Sequence, residues 1–216
     1  MIIHLANRLN IPMRDCNAAL LAAGFAPAYS ERPLDDPEMA AALRALRTLL
    51  KAHEPNPALA LDRHWHIVHA NNAVAPILAG VLDPALLTEP VNVLRLSLHP
   101  AGLAPRIQNL KAWRAHLLHR LERQIAVTRD TVLADLRSEL LSFDTAGTPV
   151  DATIDPGGVL VPLHLKTGAG TLSFISTTTV FGTPRDVLLS ELAIEAFFPG
   201  DSFTAHYLSK QKGTVT

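Results

Sequence analysis

Cysteine is almost missing from this chain, because Cys16 is the only one among 216 residues. A single cysteine excludes an intramolecular disulfide framework and supplies no cysteine cluster for a structural zinc site. Long apolar runs are also lacking, although 48% of the residues are hydrophobic. We find neither a secretory signal nor the roughly 20 apolar residues of a membrane span. These absences predict a protein of a reducing, cytoplasmic compartment.

An excess of charge of one sign is lacking as well, since the formal net charge is −1. Near-neutrality argues against non-specific binding of polyanions by the whole chain, but it leaves room for a local basic face. There is no Gly-x-Ser-x-Gly elbow, and Gly157, Gly158, Gly168 and Gly170 lack the lysine and the spacing of a phosphate loop. The sequence therefore predicts that the chain is not an enzyme.

The hydrophobic pattern predicts an α+β fold. Helical periodicity covers most of residues 2–53, a hairpin of two short strands follows between Leu59 and Val68, and residues 85–143 are mostly helical. The last third alternates apolar and polar residues in three runs, marked by Val159, Val161, Leu163 and Leu165, by Leu172, Phe174 and Val180, and by Leu192, Ile194 and Phe198. Two strands, a helical insertion and three strands form one five-stranded antiparallel sheet with helices on one side, as in a PAS-like sensor domain, preceded by a short all-α segment.

The central feature of the helical region is a predicted helix from Pro105 to Val127 with one arginine inside its apolar face. At about 100° per residue, Arg114 lies at the centre of a face formed by Ile107, Leu110, Leu117, Leu121 and Ile125. A guanidinium stays charged, so it needs a carboxylate, backbone carbonyls, an anionic ligand or contact with water. One hypothesis makes Arg114 the anchor for the carboxylate of an amphipathic or acyl ligand between this helix and the sheet.

The other hypothesis makes Arg114 structural. Its aliphatic stem then covers apolar surface, or its head forms an internal ion pair with one of four carboxylates, those of Asp130, Asp135, Glu139 and Glu191.

The candidate ligand-binding residues lie around this arginine and on the predicted sheet. They are Arg114, Trp113, Leu110, Leu117, Leu121 and Phe174. Trp113 flanks the apolar face, where it is either a pocket wall or a half-buried core aromatic, and the same two interpretations apply to Phe174.

Ten histidines raise the question of a metal site. His64 and His66 share one face of the predicted strand, and His116 and His119 lie one helical turn apart. Neither pair belongs to a closed tetrahedral ligand set. The sequence therefore predicts no metal, and the histidines are interpreted as surface residues or hydrogen-bonding partners.

Four basic residues add a positive face to the long helix, namely Arg106, Lys111, Arg120 and Arg123. Such a face either contacts DNA phosphates or an acidic partner, or it is a solvated exterior.

Four segments of the chain carry a family resemblance. They are Leu61–Val68, Asn92–Leu103, Trp113–Leu121 and Glu191–Asp201, and together they resemble the MmyB-like family of bacterial transcription regulators from about Pro33 onward. The resemblance implies a PAS-like ligand-binding domain joined to an N-terminal Xre-type helix-turn-helix. It also implies a homodimer and, in one type of member, a fatty-acid-like molecule in the PAS-like pocket. It implies no other cofactor.

The N-terminus is similar to the same family only in part. Leu5–Asn17 and Leu20–Phe25 resemble the last two helices of the DNA-binding domain, and the earlier helices are missing. The second helix of a helix-turn-helix motif makes the base contacts, and here it would precede Met1. We therefore expect a truncated regulator that contacts DNA only through an incomplete helix-turn-helix, at residues that are unknown.

The sequence predicts four parts: residues 1–30 as the helix-turn-helix remnant, 31–54 as linker and connecting helix, 55–208 as the PAS-like ligand-binding domain, and 209–216 as a tail. We expect the ligand-sensing region of a bacterial transcription regulator, which binds a small amphipathic, fatty-acid-like effector and modulates DNA binding of a dimer. We do not expect a membrane among its partners. The alternative is a dimerisation or interaction module whose apolar pocket is simply a filled core.

Overall fold

An antiparallel sheet of five strands organises the described part of the chain. In the computed structural model, which describes residues 1–143, 160–182 and 184–211, the strands are β1 (Ala58–Leu61), β2 (Ile67–Ala70), β3 (Leu163–Thr167), β4 (Gly170–Val180) and β5 (Ala193–Pro199). Their order across the sheet is β2-β1-β5-β4-β3, and all neighbours are antiparallel. This is a PAS-like order, so the predicted fold class is confirmed. Val159, which the pattern places in a strand, lies outside the described residues.

Helices lie before, between and after the strands of the sheet along the chain. They are α1 (Ile2–Arg8), α2 (Met13–Ala22), α3 (Ala40–Ala52), α4 (Ala75–Leu78), α5 (Val93–Leu98), α6 (Leu110–Thr128), α7 (Thr131–Ser142), α8 (Val187–Glu191) and α9 (Ser202–Gln211). The first three precede the sheet, α4 to α7 form the helical insertion between β2 and β3, α8 lies between β4 and β5, and α9 follows β5. Side-chain caps start several of them, because a carboxylate or amide oxygen satisfies backbone N–H groups that have no partner inside the helix. Asn92 accepts from the N–H of Leu94 at 3.1 Å, and Asp130 accepts from that of Val132 at 2.9 Å.

The alternation of side chains along β1 separates two hydrophobic cores. Leu59 and Leu61 face the helical insertion and join the main core, whereas Ala58 and Ala60 pack against α3 through Leu50. All four β1 residues are buried. Helices therefore cover both faces of the sheet, and the prediction of helices on one side is wrong, because the apolar face of α3 also needs a partner surface.

The long helix begins at Leu110 and not at Pro105. The residues before it are tied to β3, since the N–H of Gln108 donates to the carbonyl of His164 at 2.9 Å and the side chain of Asn109 accepts from the N–H of His164 at 3.0 Å. These bonds require a non-helical backbone, and Ile107 accordingly has a ψ of 109°. Ile107 is buried beside the strand, but it does not belong to the apolar face of α6.

The C-terminal helix α9 was not predicted. Asp201 accepts from the N–H of Thr204 at 2.7 Å, and the hydroxyl of Thr204 accepts from the N–H of Ser173 on β4 at 2.9 Å. With Leu208 buried in the main core, α9 is part of the packed structure up to Gln211. The division of the chain into four parts stays a prediction.

The N-terminal helices α1 and α2 share a small cluster of their own, formed by Ala6, Cys16 and Leu20. Leu5 and Leu21, on the same two helices, are more than half exposed. Among the helices of the described ranges, none combines the length and the hydropathy that crossing a membrane requires.

Candidate functional site

An apolar cavity of about 100 Å³ lies between the sheet and the helical insertion. Its wall takes side chains from strands and helices alike, including Leu59, Leu61, Val74, Ile77, Leu94, Leu96, Trp113, Leu117, Phe174 and Phe197. The period of two along β1 and the helical spacing along α6 direct these side chains to one space. Within the described residues, no buried side-chain nitrogen or oxygen lacks a hydrogen-bond partner. The cavity therefore suits hydrocarbon.

Trp65 forms one side of this cavity because of the turn that connects β1 and β2. The N–H of Trp65 donates to the carbonyl of Asp62 at 3.1 Å, and Trp65 has a φ of 69°. This left-handed position usually holds glycine, and it costs an ordinary residue on the order of 1 kcal/mol. Burial of the indole and its hydrogen bond to Gln124 at 2.8 Å stabilise the conformation.

A buried ion pair lies at the edge of the cavity. Arg120 on α6 donates to both carboxylate oxygens of Glu195 on β5, each at 3.0 Å, and Glu195 is only 5% exposed. The hydroxyl of Thr178 joins the pair by a bond of 2.9 Å to Glu195. The guanidinium carbon of Arg120 lies 4.9 Å from the centroid of the Trp65 ring, in a cation–π contact. Removing one partner alone would leave a buried charge uncompensated.

A polar cleft of about 480 Å³ continues outward from the ion pair. It shares Leu61, Trp65, Arg120 and Glu195 with the apolar cavity. Further charged side chains line the cleft, namely Asp62, Arg63, Arg123 and Glu191. The apolar volume thus adjoins a charged rim that solvent can reach.

Comparison with known proteins assigns the family. The model of the MmyB-like transcription regulator ligand binding domain matches residues 15–210. The chain belongs to that family. The family resemblance read from the four sequence segments is therefore confirmed.

Among solved structures, this MmyB-like domain is similar to the PAS domain of BvgS from Bordetella pertussis. The identity is 16%, the match covers 80% of this chain and 96% of that chain, and the TM-score is 0.29. A score of this size supports no detailed superposition. No curated protein matches the sequence.

Arg114 of the MmyB-like domain lies away from the apolar cavity. Its guanidinium donates to the carbonyls of Leu140 at 2.9 Å and Leu141 at 3.2 Å, in the last turn of α7. Those carbonyls have no partner inside the helix, and a cation is favourable at that end of the helix dipole. Three of the carboxylates considered as partners of Arg114 pair with other arginines in the structure. Glu139 pairs with Arg95, Asp130 with Arg63, and Glu191 with Arg14.

Three of the six predicted ligand-binding residues line the cavity, and they are Trp113, Leu117 and Phe174. Leu110 and Leu121 belong to the surrounding core without lining the cavity. The assignment of a ligand to these residues stays a prediction.

His116 lies behind the cavity wall, stacked on Trp113 with ring centroids 5.5 Å apart. Burial, followed by the charge of Arg120, lowers the pKa of His116 below its ordinary 6.5. The ring is therefore neutral at pH 7 and adds no charge to the rim.

Sequence reasoning missed the residues at the rim, although a signal for them exists. Arg120 and Gln124 follow the predicted residues Trp113 and Leu117 at helical spacing, on a face rotated by about 75° from the predicted apolar face. The assignment of Arg120 to an outer basic face is wrong, because its guanidinium pairs with Glu195 on the sheet.

Arg106 is likewise not part of an outer face of α6. It precedes that helix, and its guanidinium donates to the carbonyl of Ile77 at 2.9 Å and to that of Lys166 at 3.1 Å.

A series of ion pairs connects the polar cleft with the N-terminal helices. Arg63 contacts Glu191 at 3.6 Å, and Glu191 accepts two hydrogen bonds from Arg14 on α2, at 2.7 and 2.9 Å. Arg63 also pairs with Asp130, which His64 contacts at 3.0 Å. Burial opposes the charge of Asp130, but the hydrogen bonds from Arg63 and His64 outweigh it and lower the pKa of Asp130 to about 2.

Proposed function

We propose that this MmyB-like domain senses an amphipathic effector with an apolar tail and an acidic head, such as a fatty acid. The tail enters the apolar cavity, and the carboxylate binds at the rim to Arg120 and Arg123. The observation that carries this proposal is the junction at Arg120 and Glu195, where the apolar cavity and the polar cleft share residues. An arginine fork matches a carboxylate in geometry and charge.

Glu195 occupies the arginine fork in the structure, so the effector has to compete with it. A ligand carboxylate that takes over Arg120 releases Glu195 from a pair in which each oxygen accepts at 3.0 Å. Glu195 then loses one partner while Thr178 on β4 still donates to it. Ligand binding therefore rearranges the contact between α6 and the sheet.

The size of the cavity supports a change of shape on binding. About 100 Å³ is well below the roughly 300–1,000 Å³ of pockets that enclose drug-sized ligands. A long acyl chain must therefore displace wall side chains or extend into the cleft. A ligand that binds the expanded arrangement better shifts the population toward it.

The ion pairs at Glu191 offer a path from the site to the N-terminal helices. Glu191 lines the polar cleft and holds Arg14 on α2. In a homodimer that carries DNA-binding heads, movement of α2 changes the spacing of the heads and so modulates DNA binding.

Native mass spectrometry of purified, tag-free protein tests the proposal, before and after addition of a long-chain fatty acid. We expect one fatty acid for each protomer, retained from the expression host or taken up on addition. A stable dimer that takes up none contradicts the sensor and supports the interaction module.

A further inference from the structure

Three metal-binding side chains meet at the turn between β1 and β2. Asp62, His64 and His66 each offer one ligand atom, and these atoms lie within 4.8 Å of one another. We propose that this turn cluster (Asp62, His64 and His66) is a site for a divalent transition metal such as Zn²⁺. The turn cluster borders the polar cleft through Asp62, but the metal proposal does not rest on the proposed effector.

The backbone of the turn holds the three ligands in place. One carboxylate oxygen of Asp62 accepts from the N–H groups of His64 and His66, both at 2.8 Å. The other carboxylate oxygen lies 3.1 Å from Nδ1 of His66. Trp65, between the two histidines, is buried in the cavity wall. The ligands are therefore ordered in advance, so a metal that binds here has little conformational entropy to overcome.

A second carboxylate orients one of the imidazoles. Nε2 of His64 lies 3.0 Å from Asp130, which is also paired with Arg63. Histidines that bind metals commonly donate their other ring N–H to a carboxylate, which fixes the tautomer and makes the ligand nitrogen more basic. Asp130 thus serves as the outer carboxylate, and Nδ1 of His64 remains for the metal.

The donor set decides the class of ion. Two imidazole nitrogens and one carboxylate oxygen suit Zn²⁺ and its neighbours in the first row, whereas Mg²⁺ and Ca²⁺ prefer oxygen ligands alone. The side chains of Asp62, His64 and His66 are 33%, 26% and 23% exposed. Solvent therefore reaches the site, and water completes the coordination as in other sites with three protein ligands.

Sequence reasoning recognised the two histidines but not the aspartate. Asp62, His64 and His66 alternate along the chain, and the turn keeps all three ligand atoms together. The prediction of no metal considered the two histidines as a pair, without Asp62, which lies beside them in the structure.

Isothermal titration of tag-free protein with Zn²⁺ tests the site. We expect one Zn²⁺ for each chain and no binding of Mg²⁺ under the same conditions. Asp62→Asn keeps an oxygen for the two N–H groups of the turn but removes the charged ligand, and His66→Gln removes one imidazole. Each substitution should weaken Zn²⁺ binding at least about tenfold, with an unchanged circular dichroism spectrum.

The matched control is the pair His116→Gln and His119→Gln, which removes two histidines one helical turn apart on α6. Zn²⁺ binding should be unchanged in this variant. The proposal is overturned if Zn²⁺ does not bind, if the control loses as much binding as the turn variants, or if folded Asp62→Asn and His66→Gln bind like the parent.

Discussion

At the scale of single residues, two arginines of α6 have opposite surroundings. Arg114 donates to carbonyls at the end of α7, and Arg120 forms a bidentate pair with a buried glutamate beside the apolar cavity. Both side chains are half-buried, so burial does not distinguish them. The difference lies in what a ligand can reach, because only Arg120 lines both the cavity and the cleft.

The double variant Arg120→Met with Glu195→Gln removes both charges together and avoids an unpaired buried carboxylate. We expect the double variant to bind a long-chain fatty acid at least about tenfold more weakly, a loss of about 1.4 kcal/mol in binding free energy, because the carboxylate loses its arginine partner. It should bind the corresponding alcohol as the parent does, because the alcohol has no carboxylate. Fluorescence titration measures both ligands.

The matched control for that experiment is Arg114→Met. It should lower the free energy of unfolding by about 1–2 kcal/mol through loss of the helix cap, with binding of the fatty acid unchanged. Selective loss of acid binding in Arg114→Met would make Arg114 the anchor instead.

The ionisation of Asp130 makes the free energy of unfolding of the domain depend on pH. Its pKa is about 2 in the folded protein against an ordinary 3.8, so its ionised form stabilises the fold above pH 4, and this contribution is lost as the pH falls through 2. The shift corresponds to on the order of 2 kcal/mol. Asp130→Asn keeps the oxygen that caps α7, and it should be less stable than the parent at pH 6 by about that amount. Urea unfolding between pH 6 and 2.5 should show the difference shrinking below pH 4; parallel profiles would contradict this assignment.

At the scale of elements, two leucines of α6 separate cavity from packed core. Leu117 lines the cavity, whereas Leu121, on the same helix, is fully buried outside the cavity lining. A phenylalanine at 117 has empty space to fill, and one at 121 has to push neighbours aside.

Leu117→Phe should therefore change the free energy of unfolding by less than about 1 kcal/mol and reduce uptake of the fatty acid. Leu121→Phe should lower the free energy of unfolding by about 1–3 kcal/mol. Thermal unfolding and native mass spectrometry read the two effects. Equal destabilisation of both variants, with unchanged uptake, would mean that the cavity is not the tail site.

At the scale of the whole molecule, ion pairs help to attach the N-terminal helices to the rest of the chain. Arg14 on α2 pairs with Glu191, the last residue of α8. A similar bidentate pair, Arg95 with Glu139, lies within the helical insertion. The two pairs allow a matched comparison of an attaching contact with an internal one.

Glu191→Gln should increase deuterium uptake in residues 2–22, because α1 and α2 lose a contact with α8. Addition of fatty acid should alter that uptake in the parent and much less in Glu191→Gln. Glu139→Gln should leave uptake in residues 2–22 unchanged, and an identical response in both variants would argue against Glu191 as the link.

Much of this architecture could be predicted from local patterns. The hairpin at Leu59–Val68 follows from alternating apolar residues around a polar turn, and the break near Thr128 follows from the end of helical periodicity. The start of α6 could not be predicted, because Gln108 and Asn109 bond to a strand far along the chain. The partner of Arg114 depends on where α7 ends relative to α6, and the spacing of residues along α6 does not predict that position.

The sequence by itself determined the family and the five strands, because periodicity and motifs are properties of neighbouring residues. It also indicated three residues that line the apolar cavity, Trp113, Leu117 and Phe174. Only the tertiary structure decided which cation lies at the cavity. Arg120 and Glu195 become partners because α6 lies against β5, and the carboxylate of Asp62 lies beside two histidines because it accepts from N–H groups of the turn. Contacts between distant segments depend on how elements pack, and a local pattern does not encode that arrangement.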